Sequence, residues 1–212
     1  SLRSLFKTGD LFGADFCYHE LPNKLDPFDT EAFQQNPMEF YVVCTDVLTG
    51  EAVYQKCGIA DDECFEWLRA SASMPLVSRT VEIGGRRMLD GGIADSIPLR
   101  YFEQIGYNKI LVILTQPEGY RKKKNKALPL IRLSFRQYPK MVEALEKRHK
   151  KYNDTLAYVK KREREGAVLV LRPQDSLSIG RVEHNPERMR QVYDCGRKVA
   201  LQSLEQIEAF LR

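Results

Sequence analysis

The most constraining feature of this sequence is an alternating stretch, residues 80–89, that runs directly into the tripeptide Asp90-Gly91-Gly92. A Gly-Gly pair in the middle of the stretch predicts a hairpin turn between two short strands. The glycines after Asp90 permit a positive φ and a close approach by a neighbouring backbone. A carboxylate on such a turn is suited to act as a general base. The structural alternative is an Asx turn that caps the following segment.

Strand-like and helical patterns alternate along the rest of the chain, which predicts an α/β domain with helices layered on a central sheet. Asp61 is a good N-cap for the helix that follows it. Two apolar runs, residues 109–114 and 167–171, are typical of strands buried on both faces of a mostly parallel sheet. We also predict strands at 39–47 and 51–56, helices at 61–70, 98–105, 139–165 and 186–212, a loop at 116–130, and loop with short helical pieces at 1–35.

Three short strings occur in order: a strand ending in a Thr-Asp pair (residues 40–47), a small-residue run (70–75), and Asp90-Gly91-Gly92. Together they resemble motifs of the bacterial patatin-like phospholipases, which are serine acyl hydrolases that work with a Ser-Asp dyad. The resemblance implies a patatin-like layered α/β fold. It also implies that Asp90 is the general base that accepts the serine proton, and that Gly91 and Gly92 complete the DGA/G motif.

The nucleophile motif of that family, Gly-x-Ser-x-Gly, does not occur in residues 1–212, and neither does a glycine-rich oxyanion loop. Ser96 is a smaller departure, because the family more often has Asn there. We therefore interpret the chain as a single, N-terminally incomplete patatin-like domain that lacks the first strands and the nucleophile elbow. Such a fragment is expected to be inactive alone and to expose an apolar face near Asp90 and the strand 40–47.

The first hypothesis for function is a lipid acyl hydrolase to which this chain contributes the dyad aspartate. Such an enzyme hydrolyses carboxylic esters of phospholipids or related acyl lipids through an acyl-serine intermediate. The alternative is a non-catalytic membrane-surface or protein-interaction module of the same fold. A Gly-x-Ser-x-Gly segment upstream of this chain would separate the two hypotheses.

Other polar residues near these strings are expected to have structural roles. Asp46 stands at the end of a strand, where open α/β sheets place their sites, but it also precedes a turn that it could form. Asp95 is a candidate N-terminal cap for the next helix. Ser71 and Ser73 lie in the small-residue run and are interpreted as close-packing residues. His149 falls on the apolar stripe of the long helix and is interpreted as a half-buried packing residue.

Positive charge is concentrated in the middle of the chain, although the net charge is only +4. One interpretation is a solvated loop, and the other is a contact with anionic lipid headgroups. Nucleic acid is not expected as a partner, because no aromatic-interleaved or zinc-finger pattern accompanies the charge. The residues concerned are Arg121, Lys122, Lys123, Lys124 and Lys126.

The cysteines indicate the compartment. Their number, five, is odd and they form no C-x-x-C pair, which is typical of buried or free thiols in a reducing compartment. We therefore predict the cytoplasm, with peripheral membrane contact. The three histidines are scattered, so neither a metal site nor a cofactor is predicted. The longest apolar run, residues 110–114, is far shorter than the ~20 residues of a membrane span.

Overall fold

The computed structural model describes residues 9–11, 13–180 and 183–212. The chain divides into two compact units. The first takes the residues up to Ile97 together with Lys123–Tyr152, and the second takes Pro98–Lys122 and Asn153–Arg212. The single-domain interpretation of residues 1–212 stays a prediction.

The secondary structure mixes helices and strands, so the α/β class is confirmed. The strands are β1 (Phe40–Asp46), β2 (Ala52–Cys57), β3 (Val81–Ile83), β4 (Arg86–Asp90), β5 (Ile110–Ile113) and β6 (Val168–Leu171). The helices are α1 (Thr30–Gln35), α2 (Asp62–Ser71), α3 (Leu99–Gln104), α4 (Leu128–Ser134), α5 (Pro139–Arg164), α6 (Pro186–Gln202) and α7 (Leu204–Leu211). Two short segments add a π-helical stretch at Phe16–Leu25 and a 3₁₀ turn at Gly91–Ile93.

The first unit contains a four-stranded sheet in the order β2-β1-β4-β3, and every pairing in it is antiparallel. Short connections force the antiparallel direction of the β1–β2 and β3–β4 pairs, because parallel neighbours need a long crossover between them. Gly84 and Gly85 close the β3–β4 hairpin with φ values of 56° and 74°, as a tight hairpin turn requires. The prediction of a mostly parallel sheet is therefore wrong for this sheet.

The core of the first unit lies on both faces of its sheet. Successive residues of β4 point to opposite sides, so Met88 packs towards α2 and Leu89 towards α4 and α5. Val42, Cys44 and Val47 are buried as well. The expectation of an exposed apolar face near Asp90 and β1 is therefore wrong, because helices within this unit cover both faces of these strands.

The second unit contains the parallel pair β5–β6, in which Ile110 lies opposite Val168. Both strands were predicted from their apolar runs, but only β6 is buried along its whole length, because Ile113 of β5 is 71% exposed. A polar contact holds α3 to the last part of α5: Glu103 accepts hydrogen bonds from the Tyr158 hydroxyl (2.6 Å) and from Arg162 Nε (2.7 Å).

Two helix predictions need correction. The closing helix predicted at 186–212 is broken at Ser203, whose hydroxyl donates to the carbonyl of Val199 at 2.9 Å. The stretch predicted as loop up to residue 130 already contains the first turn of α4. Leu128 and Ile131 bury one side of that helix, and this packing outweighs the loop signals around it.

Candidate functional site

β4 ends at Asp90, and the chain turns immediately through Gly91–Ile93. The backbone N–H of Asp90 donates to the carbonyl of Ser73 at 2.9 Å. Its own carbonyl accepts from the Thr45 hydroxyl at 2.8 Å. The same hydroxyl oxygen accepts from the N–H of Ala94 at 3.2 Å. Buried Thr45 therefore joins the strand before the turn to the segment after it.

The carboxylate of Asp90 has one oxygen engaged locally and one that faces a cation. Oδ1 accepts from the N–H of Gly92 at 2.8 Å, which is the Asx turn considered from the sequence. Oδ2 lies 3.8 Å from Nη2 of Arg148 and accepts no hydrogen bond from the described residues. The Asp90 side chain is 20% exposed. The Asx turn and a base role are therefore compatible, because they use different oxygens.

Position 91 requires glycine because there is no room for a Cβ atom, and not because its backbone conformation excludes other residues. Neither Gly91 nor Gly92 has a positive φ, so that part of the sequence argument is wrong. A Cβ at Gly91 would overlap the carbonyl oxygen of Val43 and lie 2.5 Å from the carbonyl carbon. The close approach of a neighbouring backbone is therefore what excludes a side chain there.

Arg148 is the residue of this site that the sequence did not indicate. It lies on α5, and its Nε donates to the carbonyl of Gly92 at 2.6 Å. The hydroxyl of Ser96 donates to the same carbonyl at 2.7 Å. Arg148 stands 56 residues from Gly92 in a helix rich in Lys and Arg, so no local pattern distinguishes it.

Asp46 forms its own turn, as its position before Thr49-Gly50 indicated. Its carboxylate accepts from the N–H groups of Leu48 (2.8 Å) and Thr49 (3.0 Å) and from Nε of Arg86 (2.9 Å). Burial alone would raise the pKa of Asp46, but these hydrogen bonds and the charge of Arg86 outweigh it and lower the pKa. This satisfied carboxylate stabilises the β1–β2 hairpin.

The remaining candidates also have structural contacts. The hydroxyls of Ser71 and Ser73 donate to backbone carbonyls at 2.8 Å each, which gives both residues a structural role. Asp95 does not cap α3: it accepts from the Tyr54 hydroxyl (2.6 Å) and from a nearby backbone N–H. His149 is half-buried, and its Nδ1 has no hydrogen-bond partner in the described part of the chain.

Cys44 lies opposite Asp90 in the β1–β4 ladder and is fully buried. Burial, with a smaller effect from the charge of Asp90, raises the pKa of the Cys44 thiol to about 12. The thiol therefore stays protonated at neutral pH and does not compete as a nucleophile.

The basic residues predicted as a lipid contact lie in a loop before α4. Arg121, Lys123, Lys124 and Lys126 are exposed. Lys122 is half-buried, and its backbone exchanges two hydrogen bonds with the side-chain amide of Asn153. No helix among the described residues has the length and apolar character needed to cross a bilayer. Within the same residues, no three metal-ligating side chains cluster.

Comparison with known proteins finds a family match for the part of the chain that carries the Asp90 turn. Residues 1–103 match the family described as patatin-like phospholipase, and this range includes Asp90, Gly91 and Gly92. Residues 1–103 belong to the patatin-like phospholipase family. A second match, to a domain of unknown function (DUF6363), covers residues 138–212 and includes Arg148. The patatin-like turn is therefore held in part by a residue of the second matched segment.

Curated relatives support the same family. An uncharacterized NTE family protein of Mycobacterium bovis is 37% identical over 68 residues, which is 32% of this chain and 18% of the relative. Uncharacterized NTE family proteins of two Mycobacterium tuberculosis strains match at the same identity and coverage. The matched stretch thus spans about a fifth of the length of these NTE family relatives.

Proposed function

We propose that this chain supplies the general base, Asp90, of a serine acyl hydrolase that acts on lipid esters. The proposal depends on one observation, the hydrogen bonding of the two oxygens of the Asp90 carboxylate. Gly92 fixes Oδ1 in one orientation, while Oδ2 has no hydrogen bond from the described residues and the side chain is partly exposed. Oδ2 is therefore available to accept a proton from a serine hydroxyl placed within about 2.6–3.2 Å of it.

The proposed chemistry is acyl transfer through a serine. Asp90 accepts the proton of the attacking hydroxyl and passes it to the leaving alcohol oxygen as the substrate ester bond breaks and the acyl-serine ester forms. The regenerated carboxylate then accepts a proton from the attacking water and returns it to the serine oxygen as the fatty acid leaves. Because residues 1–212 contain no Gly-x-Ser-x-Gly string, the proposal places the nucleophile and the oxyanion-hole donors in a segment outside them. The 212-residue chain alone should then show no turnover above background.

The test uses the protein that carries this chain together with its nucleophile segment, and measures release of p-nitrophenol from a p-nitrophenyl acyl ester. Asp90→Asn should lower kcat by about a hundredfold to ten-thousandfold, because it removes the general base. The melting temperature should change little, since an Asn side-chain oxygen can still accept from the N–H of Gly92.

Asp95→Asn is the matched control. It makes the same change five residues later, at a carboxylate engaged by the Tyr54 hydroxyl, and should leave kcat nearly unchanged. Turnover that survives Asp90→Asn would contradict the proposed role. A large loss of stability in the Asp90→Asn variant would assign Asp90 to the turn alone and favour the non-catalytic alternative.

For the partner, we propose an anionic membrane surface contacted through the basic loop. Exposed cations attract acidic lipids with roughly 1 kcal/mol per well-placed Lys or Arg. Support comes from the exposure of four of the five side chains of the set Arg121, Lys122, Lys123, Lys124 and Lys126.

A further inference from the structure

Helix α4 has an apolar side that packs inside the first unit and a second apolar side that does not. Leu128 and Ile131 are 4% and 2% exposed. Leu130 and Leu133 stand on the opposite side of the helix, three residues apart, and are 54% and 66% exposed. Single exposed leucines are common on protein surfaces, but two at helical spacing on one short helix form an unpartnered apolar ridge.

The buried side of α4 connects this ridge to the Asp90 turn. Leu128 and Ile131 belong to the same core cluster as Leu89 and Ile93, the residues on either side of Asp90-Gly91-Gly92. The buried side of α4 therefore packs into the core cluster that adjoins both ends of the turn. A surface that α4 contacts therefore lies against the same compact unit as the candidate site.

Charge around α4 favours one kind of contact. Residues 123–148 contain eight Lys or Arg and two Glu. Both glutamates are already paired within the unit: Glu146 with Arg132 at 2.6 Å, and Glu143 with Lys147 at 2.6 Å. Other cations of this segment are exposed and have no ion pair in the described residues, namely Lys123, Lys124, Lys126 and Arg136.

We infer that α4 is an interfacial membrane contact: Leu130 and Leu133 insert at the headgroup boundary of an anionic bilayer, and the neighbouring cations bind its phosphates. An apolar ridge flanked by unpaired lysines is complementary to such a bilayer in both polarity and charge. The inference rests on the proposed lipid substrate only in that such a substrate lies in a bilayer. Binding itself requires neither the nucleophile nor Asp90.

The test is co-sedimentation of the 212-residue chain with vesicles of phosphatidylcholine, with and without phosphatidylserine. Wild type should bind the mixed vesicles. Leu130→Asn/Leu133→Asn should weaken this binding on the order of tenfold, at low and high salt alike, because it removes apolar insertion. Lys123→Gln/Lys124→Gln/Lys126→Gln should weaken it on the order of a hundredfold at low salt, and less at high salt, because ions screen exposed charges.

Leu201→Asn/Leu204→Asn is the matched control, since these two leucines are 53% and 47% exposed elsewhere and should not affect binding. Unchanged melting temperatures would show that the variants fold. Equal losses in the two leucine variants, or no loss at Leu130 and Leu133, would overturn the inference. Conversion of a dimer to a monomer by the α4 variant, with vesicle binding intact, would overturn it in favour of a second copy.

The two proposals fail in different ways. Vesicle binding by a wild-type protein that carries the nucleophile segment but shows no turnover contradicts only the proposed hydrolase. Turnover with no vesicle binding contradicts the membrane contacts proposed for α4 and the basic loop, and it leaves the proposed hydrolase standing.

Discussion

Substituting each glycine of the Asp90 turn by alanine should separate their roles. The change is the same at both positions, and neither glycine has a positive φ, so any difference reports the available space. At Gly91 the new Cβ meets the backbone carbonyl of Val43. At Gly92 it lies 3.1 Å from Nη2 of Arg148, the end of a flexible side chain, and 3.1 Å from Oδ1 of Asp90.

The loss of stability in each variant depends on which atoms must move to make room for the new Cβ. For Gly91→Ala, the Val43 carbonyl must shift within β1, where Val43 pairs with Tyr54 of β2, and overpacking of this kind costs about 1–3 kcal/mol. That carbonyl also accepts the Ser71 hydroxyl at 2.8 Å, and its displacement adds about 1 kcal/mol. A loss of about 3 kcal/mol corresponds to a fall in Tm of about 6–12 °C for a chain of this size. For Gly92→Ala, the tight contacts are offset by the lower entropy of the unfolded chain, so the net change should stay within about 1 kcal/mol.

The assay is thermal unfolding of both variants and wild type, followed by circular dichroism in one buffer. The reasoning requires a clearly larger fall in Tm for Gly91→Ala. Equal Tm shifts for the two alanine variants, or a larger one for Gly92→Ala, would refute the claim that the Val43 carbonyl excludes a side chain at Gly91.

Two further predictions concern the charged contacts of the first unit. Asp46→Asn should lower the free energy of unfolding at neutral pH by about 1–3 kcal/mol, because the carboxylate loses charge-assisted hydrogen bonds. Since the folded-state pKa of Asp46 is lowered, this stabilisation is complete above the unfolded pKa of about 3.9 and is lost as the pH falls through the folded pKa. The free energies of unfolding of the variant and wild type, measured with urea, should therefore converge in acid. A difference between them that stays constant with pH would contradict this role of Asp46. Arg148→Ala should speed amide hydrogen exchange at Ala94 roughly tenfold by releasing the Gly92 carbonyl, whereas Lys147→Ala, its exposed neighbour, should not.

Local signals made part of the structure predictable. The Gly-Gly pair determines the β3–β4 hairpin because few other residues adopt positive φ at two successive positions. Asp61 was predicted as an N-cap, and its side chain accepts from the N–H of Cys64 at 2.9 Å. Asp90 was found in the same way, because it directly follows the hairpin.

Other features depend on contacts between distant residues and have no local signal. Arg148 is one of many cations on α5, and only the folded chain shows that it reaches Gly92. The hydroxyl of Thr45 stands 45 residues from the carbonyl that it binds. Strand direction was mispredicted for β1 to β4, because no local pattern shows which strands pair with each other, whereas the two apolar runs do form the parallel pair β5–β6.

The contacts of Arg148 bear on how the two matched segments relate to the candidate site. The patatin-like match ends at residue 103, and the match of unknown function begins at residue 138. The first part of α5 nevertheless contributes Met141 and Leu145 to the cluster that contains Leu89, in addition to the hydrogen bond on Gly92. A chain cut before residue 138 would lose this hydrogen bond and one wall of the core behind Asp90. The environment of the proposed base is therefore a property of the first compact unit, and the limits of the patatin-like match do not contain it.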